Sequence, residues 1–247
     1  MIKLLVVDDL PALRQHIITL VRSYVTKDVD VHEATNGAEG VKLFRSVRPD
    51  VIVMDIVMPE MSGIKAAQEI WKEDPKTKIL FWSQFHREAF LRELGKIVPD
   101  EAIHGYALKG EGDDKLAYAL SSIILHDNPY IDPVVRGVQN RLQNKDSSLS
   151  DVEFETLLDV TLGLTDKAIA ARRHISVRGV QNRLAMLSGK LFKGDAMYGR
   201  ESAGMEIFNP RTRTVLEGLK RGLIDPDKLS ELDGELAEWI DEEFEES

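Results

Sequence analysis

Five polar residues set what chemistry this sequence can do: Asp8, Asp9, Asp55, Ser83 and Lys109, each placed directly after or at the end of a short apolar run. Three carboxylates gathered at one point repel each other unless a cation joins them, and an oxygen-only ligand set suits Mg²⁺. An ammonium and a hydroxyl beside them suit a phosphoryl group. For that chemistry, residues scattered from position 8 to position 109 must meet.

The elements that bring them together are legible in the pattern. Ile2–Val7, Val51–Met54 and Lys78–Trp82 are apolar runs without polar alternation, Val29–Ala34 is a weaker one, and residues 102–108 form a fifth. Unbroken apolar strands are covered on both faces. Helical spacing lies between them: Pro11 opens a helix with Leu13, Ile17, Leu20 and Val21, and others follow at residues 38–44, 64–71, 86–94 and 114–125. Strand and helix alternate five times. This predicts a doubly wound α/β unit with a five-stranded parallel sheet, flavodoxin-like. In such sheets the ligand site lies beyond the carboxyl ends of the strands, where all five polar residues fall.

Composition excludes several alternatives. The 247 residues are 43% hydrophobic and 30% charged, enough for one or two domains. Without Cys there is no disulfide framework, thiolate metal site or cysteine nucleophile. No apolar run approaches the ~18 residues of a membrane span, and Asp8-Asp9 end the first apolar stretch too early for a signal peptide. The chain reads as soluble and cytoplasmic. Its net charge of -10 is uneven: residues 1–127 carry -4, 128–147 carry +1, 148–193 carry +2 and 194–247 carry -9. The acidic total speaks against a generic polyanion binder but leaves room for one DNA-binding domain.

Residues 1–127 resemble the receiver domain of two-component response regulators. The matching features are Asp8-Asp9 with Arg14, the run from Asp55 through Pro59 to Gly63, Ser83, and Tyr106-Ala107-Leu108-Lys109. The resemblance implies that Asp55 is the phosphoacceptor for a partner histidine kinase. It implies Mg²⁺ on Asp8, Asp9, Asp55 and the backbone carbonyl of Val57. Lys109 would offset phosphoryl charge, Ser83 would bond the phosphoryl group, and Tyr106 would report the switch by its rotamer. Taken alone, Asp8-Asp9 is also a helix N-cap pattern before Pro11; the joint pattern outweighs that reading. Two departures stand out. Ser83 and Lys109 are 26 residues apart, longer than usual, with the extra length expected at Gly95–Asp100. Gln84 stands where a small residue is common.

Residues 128–148 read as a linker, rich in Pro and polar residues, with a short helix at 134–142. Val135–Leu142 and Val177–Leu184 are the same eight residues, Val-Arg-Gly-Val-Gln-Asn-Arg-Leu, at an offset of 42. The flanks do not match, which argues against a repeat fold. Residues 149–193 read as an all-α helix-turn-helix domain. Ser150 and Glu153 form a capping box, Gly163 ends the first helix, Thr165 caps the second and Ser176 the third. The segment resembles the LuxR-type helix-turn-helix of the NarL/FixJ class. That implies a third helix in the major groove, with Arg178, Gln181, Asn182 and Arg183 facing DNA and Lys190 and Lys193 on phosphates. Gly179 and Ala185 depart from the usual pattern.

Residues 194–247 form an acidic extension with two amphipathic helices, one starting at Asn209-Pro210 and one along Leu229, Leu232, Leu236, Trp239 and Ile240. This tail packs on its own domain or a second subunit, binds another protein, or covers the recognition helix. The whole reads as a response regulator that binds DNA as a phosphorylation-induced homodimer, and not as an enzyme. The alternative is a phosphorylation-controlled adaptor whose altered helix-turn-helix and tail bind protein. An Asp-nucleophile phosphatase is excluded, because Val57 stands where its second acid is required.

Overall fold

The computed structural model describes residues 1–85, 88–143, 148–193, 208–224 and 226–244; for 141, 143, 226–228 and 244 it describes the backbone alone. The chain divides into two compact units, the first running essentially to Val138 and the second from Gln139.

The first unit alternates β1 (Ile2–Val7), α1 (Pro11–Leu20), β2 (Val29–Ala34), α2 (Gly37–Val47), β3 (Val51–Met54), α3 (Gly63–Glu73), β4 (Lys78–Ser83), α4 (Glu88–Ile97), β5 (His104–Leu108) and α5 (Asp113–His126). A π-helical turn, Val21–Val25, prolongs α1. All strand pairings are parallel, in the order β2-β1-β3-β4-β5 with a further strand, β6 (Tyr130–Ile131), beyond β5. Alternate residues of each strand face opposite sides. Leu4, Val6, Val51, Val53, Leu80 and Trp82 pack with Ile17, Leu20, Leu120 and Ile123 from α1 and α5. Their neighbours Leu5, Ile52, Ile79 and Phe81 are fully buried on the other face. Each such side chain contributes about 1.5–3 kcal/mol relative to exposure.

The expected five strands are six. β6 (Tyr130–Ile131) lies within the stretch expected to be linker and pairs in parallel with Gly105 and Tyr106 of β5. Two residues carry no strand periodicity, so nothing in the sequence marked them. Gly105 makes the approach possible: a Cβ there would lie 2.4 Å from Ile123 Cδ1 and 2.9 Å from the Tyr130 carbonyl. α6 (Pro133–Gln143) follows, its start fixed by buried Asp132, whose Oδ1 accepts from Val134 N at 2.9 Å. Of the extra length before Lys109, Gly95–Ile97 extend α4 and the remainder joins the connection to β5. His86, expected to begin α4, lies outside the described residues.

The second unit is helical: α7 (Asp151–Thr161), α8 (Asp166–Arg172), α9 (Val177–Leu191), α10 (Pro210–Lys220) and α11 (Pro226–Phe244). The expected caps are present. Ser150 and Glu153 close the capping box, and Thr165 and Ser176 accept from Ala168 N and Gly179 N. Gly163 turns α7 out at φ +80°. Buried Asp159 receives Arg173 through two nitrogens, at 2.8 and 3.0 Å, tying the end of α8 to α7. α10 packs against α7 and α9, and Leu223 and Ile224 join the core of Leu157, Leu158, Leu187 and Leu191. The helical core thus takes in residues beyond Lys193, as far as Ile224. The physical reason is that the groove left by α7 and α9 is filled by apolar residues lying beyond position 193.

Candidate functional site

The site forms where β1, β3, β4 and β5 end together. β1 leads into Asp8, 1% exposed, whose backbone is fixed by Asp8 N donating to Ala34 O and by Arg14 Nη1 donating to Asp8 O at 2.8 Å. Asp8 Oδ1 accepts from Leu10 N at 2.9 Å. Asp55 follows β3 and is 7% exposed; its N donates to Val7 O, and its Oδ1 accepts from Ile56 N at 2.7 Å. Lys109 follows β5, its own N–H donating to Ser83 O at 3.0 Å. Its Nζ lies 2.8 Å from Asp8 Oδ2 and 2.7 Å from Asp55 Oδ2, and 5.2 Å from the centre of the Trp82 ring.

Asp8, Asp9 and Asp55 each present one oxygen within 4.8 Å of the others. Lys109 pairs with two of these three carboxylates, so the cluster holds more acidic than basic groups. Burial pushes the Asp55 carboxyl upward, opposed chiefly by Lys109, while Asp8 adds to the rise. Ser83 itself is fully buried, and its Oγ makes no hydrogen bond among the described residues. A buried hydroxyl without a partner is costly. Here it stands beside the carboxylate, with its donor capacity unused.

Close packing positions the loop after Asp55. A Cβ on Gly63 would sit 1.8 Å from Asp55 O, so only glycine lets α3 start there. Gly37 does the same for α2: its N donates to Met61 O, and a Cβ would fall 2.5 Å from that oxygen. Gly37 was missed in the sequence, since nothing local shows that α2 abuts this loop. Val57 lies in the loop, two residues past Asp55. After Lys109, Gly110 and Gly112 adopt φ +87° and +96°, a region that favours glycine.

Tyr106 is fully buried and its hydroxyl donates to Phe85 O, two residues beyond Ser83. Burial pushes its phenol upward, so it stays neutral. The ring thus ties β5 to the segment that follows the Ser83 hydroxyl.

In the helical unit, α9 turns Arg178, Gln181 and Asn182 outward, with Arg183 half-exposed and Lys193 exposed. Arg178, Gln181 and Asn182 therefore share an open face, which the acidic tail does not cover among the described residues. Lys190 is different. Its Nζ lies 2.7 Å from Glu153 Oε2 and 3.2 Å from Ser148 O, which spends its charge inside the domain. Burial works to raise the Glu153 carboxyl, but Lys190 and Ser150 hold it below the usual range. α11 packs Leu229 and Leu232 against the core and buries Leu236, while Asp233, Glu238 and Asp241 face solvent. Ile240, expected on the apolar face, is 43% exposed.

Comparison with known proteins agrees with this geometry. Residues 4–120 match the response regulator receiver domain. The chain is 27% identical over 229 residues to the transcriptional regulatory protein YdfI of Bacillus subtilis, covering 90% of this chain and 97% of that one. It is 26% identical to the response regulator protein VraR of Staphylococcus aureus, over 77% and 90% of the two chains. Among solved structures, the response regulator RcsB in complex with DNA aligns with a TM-score of 0.56 at 17% identity, covering 87% of this chain and 98% of that one. RcsB of Salmonella typhimurium aligns with the same score at 19% identity, over 77% and 93%. No helix among the described residues is long and apolar enough to cross a membrane. The acidic pocket and parallel sheet lie in the part that matches the response regulator receiver domain, residues 4–120, and over most of its length the chain is similar to a transcriptional regulatory protein and a response regulator.

Proposed function

We propose that this chain is a cytoplasmic transcription regulator switched by phosphorylation of Asp55. The carrying observation is the buried Asp8–Asp55–Lys109 cluster beside the unpartnered Ser83 hydroxyl. Asp55 attacks the phosphorus of a phosphohistidine on a partner kinase. The P–N bond breaks, the imidazole leaves, and an acyl phosphate forms on Asp55. Lys109 offsets charge on the transferred oxygens, and Ser83 donates to one of them. The donor set fits Mg²⁺, being oxygen-only and short of positive charge. Asp8, Asp9, Asp55 and the Val57 carbonyl would hold it, and it would offset phosphoryl charge. The chain is itself the phosphoryl acceptor, which is why it is not read as a turnover enzyme.

Drawing Ser83 toward the phosphoryl group pulls on the Phe85 carbonyl held by Tyr106, biasing a two-state receiver. The active form pairs as a homodimer and presents two α9 helices to half-sites in the major groove. Arg178, Gln181, Asn182 and Arg183 are the proposed base readers, and Lys193 the phosphate contact. Lys190 leaves this set because Glu153 already holds it. The relatives named as a transcriptional regulatory protein and a response regulator, and the DNA-bound RcsB fold, support this reading.

The test is binding of the purified chain to fragmented genomic DNA across a salt series, with and without a small phosphoryl donor and Mg²⁺. Discrete, salt-sensitive sites that tighten with donor are expected. Phosphorylation of Asp55, seen by intact mass, without specific DNA binding in either state would overturn the DNA reading in favour of a protein-binding adaptor.

A further inference from the structure

The octapeptide shared by residues 135–142 and 177–184 is helical in both places, within α6 and at the start of α9. The two copies sit on different packing surfaces. Val135 is fully buried, whereas its counterpart Val177 is 37% exposed; Val138 and Val180 are both buried. Packing therefore asks only that apolar residues recur at the inward positions. It does not ask for the same outward residues, yet Arg136 and Asn140 are exposed on α6 as Arg178 and Asn182 are on α9. Among the described residues none of these four side chains has a hydrogen bond or ion pair.

The surroundings of Arg136 carry a second, independent indication. Arg136 lines a cleft of about 370 Å³ with Lys115, Tyr118, Asn128 and Tyr130. Tyr118 is 66% exposed, standing edge-on to Tyr130 at 5.9 Å between ring centres. Lys115 pairs with Glu111 on the surface, a contact of little worth that a phosphate can replace. The nearby Asp132 is buried and spends its carboxylate on the start of α6. Arginine, lysine, asparagine and tyrosine are donors that hold phosphate oxygens of a duplex.

We propose that α6 is a second DNA-contacting helix: Arg136, with Lys115 and Tyr118 beside it, and Asn140 one turn further along the helix hold the sugar-phosphate backbone of duplex DNA. This rests on the reading of α9 as the DNA reader. The experiment uses the full chain, phosphorylated, against a random-sequence duplex and against a duplex selected from a random library. R136A/N140A is compared with R178A/N182A. On the proposal, R136A/N140A weakens binding to both duplexes by roughly tenfold and lowers the slope of log affinity against log salt by about 0.9; R136K restores the slope. R178A/N182A removes preference for the selected duplex. An unchanged affinity and slope in R136A/N140A, with R178A/N182A impaired, overturns the role of α6 and leaves the α9 reading standing. Absence of salt-sensitive binding by the unaltered chain overturns both. Should R136A/N140A lose helicity by circular dichroism, R136K and R136E read the charge alone: equal slopes for the two overturn the proposal.

Discussion

The acidic pocket and the outer face of α9 are built on opposite terms. In the pocket, Asp8, Asp55 and Ser83 are buried, each backbone is fixed by a neighbouring strand, and charge is left uncompensated. On α9, Arg178, Gln181 and Asn182 are exposed and hold no partner among the described residues. The contrast teaches where function and stability share a residue. A pocket that transfers a phosphoryl group must be assembled beforehand, because reorganisation at the moment of reaction costs rate. A surface that meets DNA keeps its donors in water until the duplex replaces it, so its residues are nearly free of structural duty.

That contrast can be broken at several points. The largest effect falls on Asp55→Asn, which removes the nucleophile: intact mass should show no phosphoryl incorporation from kinase or small donor. Lys109→Ala leaves Asp8 and Asp55 unpaired in a buried site and should slow phosphorylation by on the order of 100-fold, read by a phosphoryl-incorporation time course. Lys190→Ala and Arg178→Ala sharpen the comparison within one helix. The first strands buried Glu153 and should cost about 1–3 kcal/mol in urea unfolding of the helical unit. The second should stay within about 0.5 kcal/mol of the parent while weakening DNA binding. Gly105→Ala drives a Cβ into Ile123 and the Tyr130 carbonyl and should cost about 1–3 kcal/mol while freeing β6, read by amide exchange at Tyr130 and Ile131.

The smallest effect is a pH dependence. Glu153 is held below its ordinary range in the folded chain. It therefore contributes stability that is present above the unfolded-state value and is lost as pH falls through the folded one. Unfolding of the helical unit in acid should lose this slope in the Lys190→Ala variant, where the largest lowering influence on Glu153 is gone.

The gathering of the acidic pocket was legible because it obeys a rule that needs no coordinates. Strands buried on both faces read as apolar runs, and in a parallel sheet their carboxyl ends share one rim. Asp8, Asp55, Ser83 and Lys109 each follow or close such a run, and β1, β2 and β3 occupy the expected residues. Caps behaved the same way, since Ser150, Thr165 and Ser176 act on backbone groups three residues away. What failed were contacts between distant segments. The pairing of Lys190 with Glu153 spans 37 residues and left no local sign. β6 escaped because a two-residue strand has no period, and α10 was set apart from the domain because its place in the core is visible only from α7 and α9.

The sequence by itself therefore determined the alternating fold, the five residues of the acidic pocket and the helix caps, all of which follow from local periodicity or short-range hydrogen bonding. Only the tertiary structure decided which charges are spent on the fold and which face solvent, that Tyr106 holds the Phe85 carbonyl, that Gly37 and Gly63 admit neighbouring backbone, and that the sheet and the helical core each run further than expected. Those outcomes depend on which surfaces meet, and burial and pairing across long sequence separations leave no mark on the spacing of residues along the chain.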